Sequence, residues 1–329
     1  MHYDIRHEAG QEFAELERRI EELTPEIAPH VPEVTALPMP DRLIIRIVRV
    51  PQWMDLWERY DEQLLASEIA ELVPTASEIE QARAAKAHVR EYHRGAAIGA
   101  QTVSYYDEQP SVVVLADNLR TAGHVKVNGV NTDYVRNMLA HELTHVGQLT
   151  AGGTPYRLLV HTPFGSRRPF TERDWFFAGE GYAVWAERQI ASQIHGAAKS
   201  DKSLTSPSAR PGSSRWSGSN IQTEVLDHIV SAAAAGAVGG VDHRRTVRRY
   251  RAAGRAMEEV IGACGVQAVN RMWTRHDLLP TDAEEHDYVA WQRRLMGLAP
   301  QIHHGPGDFA AGVIPGVGTR SVAVRTPGR

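Results

Sequence analysis

The sequence predicts an α+β fold, mostly helical, with a small sheet beside one helix that carries the chemistry. Three observations predict it. Apolar residues recur at helical spacing through most of the chain, as in WMDLWERYDEQLLASEIAEL (53–72), where Trp53, Leu56, Trp57, Tyr60 and Leu64 share one face. Only RLIIRIVRV (42–50), TVSYYD (102–107) and SVVVLADNL (111–119) read as strands, being short and rich in β-branched and aromatic residues. Behind them comes NTDYVRNMLAHELTHVGQLTAGG (131–153), a helix with polar residues at its centre.

In chain order, residues 9–23 read as a short charged helix, and PEIAPHVPEVTALPMP (25–40) as irregular because of its prolines. The strand 42–50 and the helix 53–72 follow; Pro74 ends that helix, and 76–96 is a second long one. The two strands at 102–107 and 111–119 are joined by a turn at Glu108–Pro110. Asn131 or Thr132 caps the next helix and Gly152–Gly153 stops it. Residues 176–196 are helical. Residues 197–220 hold eight serines and little to bury, so they read as a flexible loop. Helices resume at 221–236, 243–263 and 265–276, with Trp291 in another. The Gly- and Pro-rich end, 305–329, reads as a disordered tail. The expected organisation is therefore an N-terminal helix and proline-rich segment (1–40), a core (41–196), the loop (197–220), a C-terminal helical subdomain (221–304) and the tail.

The chain has 329 residues, 42% of them hydrophobic, enough for a large core. A net charge of −4 gives no reason to expect nucleic acid as a partner, and the basic run HRRTVRRYR (243–251) reads as a solvated helix face. No apolar run is long enough to span a bilayer. MHYDIRHEAG has no apolar stretch of the secretory kind, and the single cysteine, Cys264, can form no intrachain disulfide, so a reduced cytoplasm is the expected compartment.

The stretch LAHELTHVGQ (139–148) spells H-E-x-x-H. On a helix, His141 and His145 project one turn apart from the same face, a spacing that suits two nitrogens on one tetrahedral zinc. Glu142 stands where its carboxylate can take a proton from the metal's water. The apolar neighbours Met138, Leu139, Val146 and Leu149 half-bury the trio, which a merely polar surface helix would not do. A catalytic zinc needs a third protein ligand. Gly147 and Ala151 rule out a third histidine at the metzincin spacing. Glu180 in FFAGEGYAVWAE, on the following helix, is the ligand expected instead, with Gly179 and Gly181 allowing close backbone approach. Glu187, two turns along the same face, could hold a ligand histidine through its second nitrogen. Tyr182, His228 and Tyr250 are candidate donors to an oxyanion.

LAHELTHVGQ followed by EGYA resembles the gluzincin metallopeptidases. With GVQAVNRMWTRHDLLPTDAE (265–284) and Trp291, the pattern resembles more closely the actinobacterial zincin-like type 2 metallopeptidases associated with deazaflavin-cofactor biosynthesis. The resemblance covers roughly residues 110–295 and is loose outside these islands. It implies a zincin-like fold, zinc on His141, His145 and Glu180, and Glu142 as general base. Val184 stands where thermolysin-like enzymes have an aspartate, so the chain is no close relative of those. The expected activity is hydrolysis of an amide, most simply a peptide bond, with a peptide or small amide as substrate and the strand 111–119 available to pair with an extended chain. A zinc-dependent hydrolase of a small molecule or modified peptide is the alternative. A zinc-stabilised scaffold is a third reading, which Glu142, with no purpose as a ligand, argues against.

Overall fold

The computed structural model describes residues 1–95, 99–103, 110–161, 164, 175–195, 243–281, 283–284 and 287–297. The expected loop 197–220, the helix 221–236 and the tail 305–329 lie outside the described residues.

The architecture is α+β, mostly helical, with a small mixed sheet. Strand β1 (His2–His7) leads through a 3₁₀ turn (Gln11–Phe13) into α1 (Ala14–Ile27) and α2 (His30–Thr35). Next come β2 (Arg42–Val48), α3 (Val50–Leu72), α4 (Ala76–Gly95), β3 (Ala100–Val103) and β4 (Ser111–Leu115). A short α5 (Ala116–Thr121) and a two-residue hairpin pair, β5 (Val125–Lys126) and β6 (Gly129–Val130), lead into α6 (Thr132–His161). Then follow α7 (Trp175–His195), α8 (His243–Cys264), α9 (Val266–Asn270), two 3₁₀ turns and α10 (Tyr288–Leu295).

The four-stranded sheet has the order β1-β2-β4-β3. β1 and β4 both run parallel to β2, while β3 is antiparallel to β4, with Thr102 opposite Val112. β4 lies inside the sheet and every one of its residues is buried, as an uninterrupted apolar run requires when both faces are covered. On one face, Leu43, Ile45, Ile47, Val112 and Val114 pack with Leu16, Ile20 and Leu23 of α1 and with Leu139, Leu143 and Val146 of α6. On the other, Val48, Val113 and Leu115 meet Trp53, Leu56, Trp57, Tyr60 and Leu64 of α3. A third cluster joins α7, α8 and the chain beyond through Phe177, Trp185, Met257, Trp273 and Trp291. Among the described residues no helix is long and apolar enough to cross a membrane.

Several expectations need correction. The N-terminal HYDIRH is a strand, because β2 offers it a parallel edge; half-buried Tyr3 and Ile5 are its only apolar contribution. Residues 25–40 are largely helical: α1 runs through Pro25 in its last turn, where the ring withholds the N–H that the Glu21 carbonyl would otherwise accept, and α2 buries Val31 and Thr35. The strand expected over 111–119 ends at Leu115, where α5 begins. Since β4 is paired on both sides, it offers no edge to a substrate; among the described residues the edge strands are β1 and β3, and β3 is the one next to β4.

The helix α6 is placed by its two ends and one flank. The Tyr134 N–H donates to Asn131 Oδ1 at 3.2 Å, so Asn131 is the cap. Gly153 leaves helical geometry at φ 57°, the expected stop, although helix resumes beyond it to His161. Leu139, Leu143 and Val146 are fully buried, and at about 1.5–3 kcal/mol each their burial fixes which flank of α6 meets the sheet. The opposite flank, carrying His141, His145 and Gln148, is left to face α7.

Gly181 has a different purpose from the one the sequence suggests. A Cβ there would stand 2.8 Å from the Ala253 carbonyl oxygen, so the glycine admits the backbone of α8. Gly181→Ala should therefore force α7 and α8 apart and lower stability by about 1–3 kcal/mol, read by denaturant unfolding. An unchanged midpoint would contradict this packing.

Candidate metal centre

Three side chains from two helices converge. His141 and His145 come from successive turns of α6, and Glu180 from the second turn of α7. The His141 and His145 Nε2 atoms are 3.2 Å apart. Glu180 Oε2 lies 3.1 Å from the first and 3.4 Å from the second. One ligand atom from each residue lies within 4.8 Å of the others, and the group could hold a metal ion.

Each histidine is oriented by its other nitrogen. Glu187 Oε2 lies 3.4 Å from His141 Nδ1, the position expected from its place seven residues after Glu180. His145 Nδ1 is 2.8 Å from Gln148 Oε1, and the Gln148 amide donates from Nε2 to the Gly179 carbonyl at 3.0 Å. That second bond fixes which end of the amide faces the histidine. An oxygen faces Nδ1, so Nδ1 carries the hydrogen and Nε2 keeps its lone pair. The carboxylate of Glu187 selects the same tautomer for His141 by the same logic. With both imidazoles neutral, two lone pairs and a carboxylate oxygen thus point at one another, and a proton or a metal cation among them satisfies the arrangement.

The electrostatics agree. Burial opposes charge on all three groups, yet their mutual attraction outweighs it. Burial works against the charged form of His141, but hydrogen bonds to Glu180 and Glu187 hold its pKa well above the ordinary value. His145 is likewise raised, burial being overcome by the charge of Glu180. Burial pushes Glu180 up, but the two imidazoles hold its carboxyl well below the usual range.

Glu142 sits beside this group and is not one of its converging ligands. Its side chain is 8% exposed. Thr102 of β3 donates to its Oε2 at 2.7 Å and lies 2.9 Å from its backbone carbonyl oxygen.

The proposed oxyanion donors fare differently. The Tyr182 phenol is fully buried, with its hydroxyl 2.9 Å from the Thr35 carbonyl and 2.7 Å from Asn270 Oδ1. Burial raises its pKa far beyond the physiological range. The hydroxyl is spent on tying α7 to the end of α2, so Tyr182 is not a donor to the site. Tyr250 is half-buried on α8. His228 lies outside the described residues.

Two residues that the sequence reading does not single out belong here, Thr102 and Gln148. Gln148 had a local signal, since it stands three places after His145 on the same flank. Thr102 had none, because its approach depends on how the sheet packs on α6.

No protein-family model matches the chain, and no curated protein matches it. Among solved structures it is similar to a protein of novel fold from Chloroflexus aurantiacus, provisionally assigned as a hydrolase. The two share 14% identity over 86% of this chain and 90% of the other, at a TM-score of 0.49. So slight a likeness has no bearing on the site.

The orienting bonds lead to an expected outcome. Gln148→Leu and Glu187→Gln should each weaken divalent-metal affinity by about 10–100-fold, measured by competition against a chelator, while the protein stays folded. Unchanged affinity in both would show that the second nitrogens do not matter.

Proposed function

We propose that the chain is a zinc-dependent hydrolase of gluzincin type that cleaves an amide, most simply a peptide bond. The observation that carries this reading is the convergence of His141, His145 and Glu180 with Glu142 held beside them.

Zinc fits the donor set. Two imidazole nitrogens and one carboxylate suit zinc better than magnesium or calcium, which prefer oxygen throughout. A tetrahedron with arms of about 2.0–2.1 Å has edges of about 3.3–3.4 Å. The three separations of 3.2, 3.1 and 3.4 Å lie close to that. A zinc ion there would polarise a substrate carbonyl and acidify the attacking water. Glu142 would take the proton from that water and return it to the leaving amine. Glu187 and Gln148 keep the two imidazoles in the binding tautomer while the proton moves.

The resemblance to the actinobacterial zincin-like type 2 metallopeptidases supports the same reading. The edge of β3, beside α6 and unpaired by any other strand among the described residues, favours an extended peptide over a compact small molecule, because an edge strand can pair with one. A small-molecule or modified-peptide hydrolase is the second reading, and the same centre would serve it. A purely structural zinc would want four protein ligands; among the described residues three converge.

The test has two parts. Purified protein should carry about one zinc per chain by elemental analysis, and His141→Ala or His145→Ala should lose it. Against a peptide library, cleavage should stop on chelation and return with zinc. Glu142→Gln should keep its zinc and lose at least about 10²-fold in rate, whereas Glu180→Gln should lose zinc affinity together with rate. Absence of zinc in the wild type, with no uptake on addition, would sink the proposal; so would full activity in Glu142→Gln.

A further inference from the structure

Glu142 has a long side chain with three rotatable bonds, and a base must be held in place to act on one water. Among the described residues a single hydrogen bond restrains its carboxylate, that from Thr102 to Oε2. Among the described residues no hydrogen bond is made to its other oxygen, Oε1. Thr102 is itself buried, 8% exposed, on the last strand of the sheet and forty positions before Glu142 in the chain.

We propose that Thr102 is a positioning residue for Glu142: its hydroxyl holds one carboxylate oxygen so that the other is presented to the reacting water. This rests on reading Glu142 as the general base. Three features favour it over a threonine that merely satisfies its own hydroxyl. The Glu142 backbone oxygen, 2.9 Å away, would have been partner enough. The contact to Oε2 is shorter, at 2.7 Å, and a bond to a carboxylate is stronger than one to a neutral carbonyl. A hydroxyl has one hydrogen, so it can serve only one of these acceptors fully at a time.

The location adds a consequence. Ala100 of β3 packs in the cluster that includes α6, and Thr102, two residues on, leaves the strand toward the same side. The edge of β3 and the base of the centre are thus joined by one side chain. Misplacement of a catalytic group by about 1 Å can cost about 10²-fold in rate.

The experiment compares Thr102→Val, which keeps shape and loses the hydroxyl, with Thr102→Ser, which keeps the hydroxyl. Both zinc-loaded variants are crystallised and their zinc content measured. They are also assayed on a quenched-fluorescent peptide that the wild type cleaves. Zinc content should be unchanged in both. Thr102→Val should show the Glu142 side chain in a different or multiple positions, with kcat down about 10–100-fold and KM within about twofold. Thr102→Ser should restore the single position and most of kcat. The proposal is overturned if Glu142 keeps its position in Thr102→Val, if kcat there equals the wild-type value, or if the serine variant is as impaired as the valine one. If the wild type cleaves no peptide, the hydrolase reading fails separately, and the crystallographic comparison still decides whether Thr102 positions Glu142.

Discussion

The structure turns on three electron-rich atoms held 3.1–3.4 Å apart in a half-buried place. Two imidazole lone pairs and a carboxylate oxygen repel one another unless a positive charge sits among them, and burial strengthens the demand by removing water. Protons can answer it: against the cost of burial, Glu180 raises both histidines and they in turn hold its carboxyl low. A divalent ion can answer it too, because with Nδ1 turned to Glu187 or Gln148 each imidazole presents its Nε2 to the same point.

Much of the surrounding architecture serves to bring these atoms together. The sheet and α1 bury one flank of α6, which leaves its histidine flank turned to α7. Gly181 and Gly254 let α8 press closely on α7: a Cβ on the second would meet Val184 Cγ1 at 2.5 Å. The Tyr182 hydroxyl ties the same helix to α2. Gln148 closes the circuit, since it holds His145 with one end of its amide and the residue before Glu180 with the other. His145 of α6 and the helix α7 that carries Glu180 are therefore linked before any metal is considered.

What could be read from the sequence was whatever depends on short range. His141 and His145 are visible because four residues make one helical turn, and Glu187 because seven residues return to the face of Glu180. The cap at Asn131 and the break at Gly153 are local chemistry too. What escaped depends on contacts distant in the chain. HYDIRH looks polar and becomes a strand only because β2 pairs with it. Thr102 reaches Glu142 only because β3 packs against α6. Tyr182 was misread because proximity in sequence hid its direction: two residues along a helix is about 200° of rotation, away from the centre that Glu180 faces.

The central claim is that these three side chains form an open, three-ligand metal site. X-ray absorption at the zinc edge of the loaded protein tests it most directly. The account predicts four light neighbours at about 2.0–2.1 Å, two of them with the multiple-scattering signature of imidazole, and the remainder a carboxylate oxygen and a water that a small anion displaces. A sulfur neighbour, a shell of water alone, or four protein ligands with nothing exchangeable would contradict it.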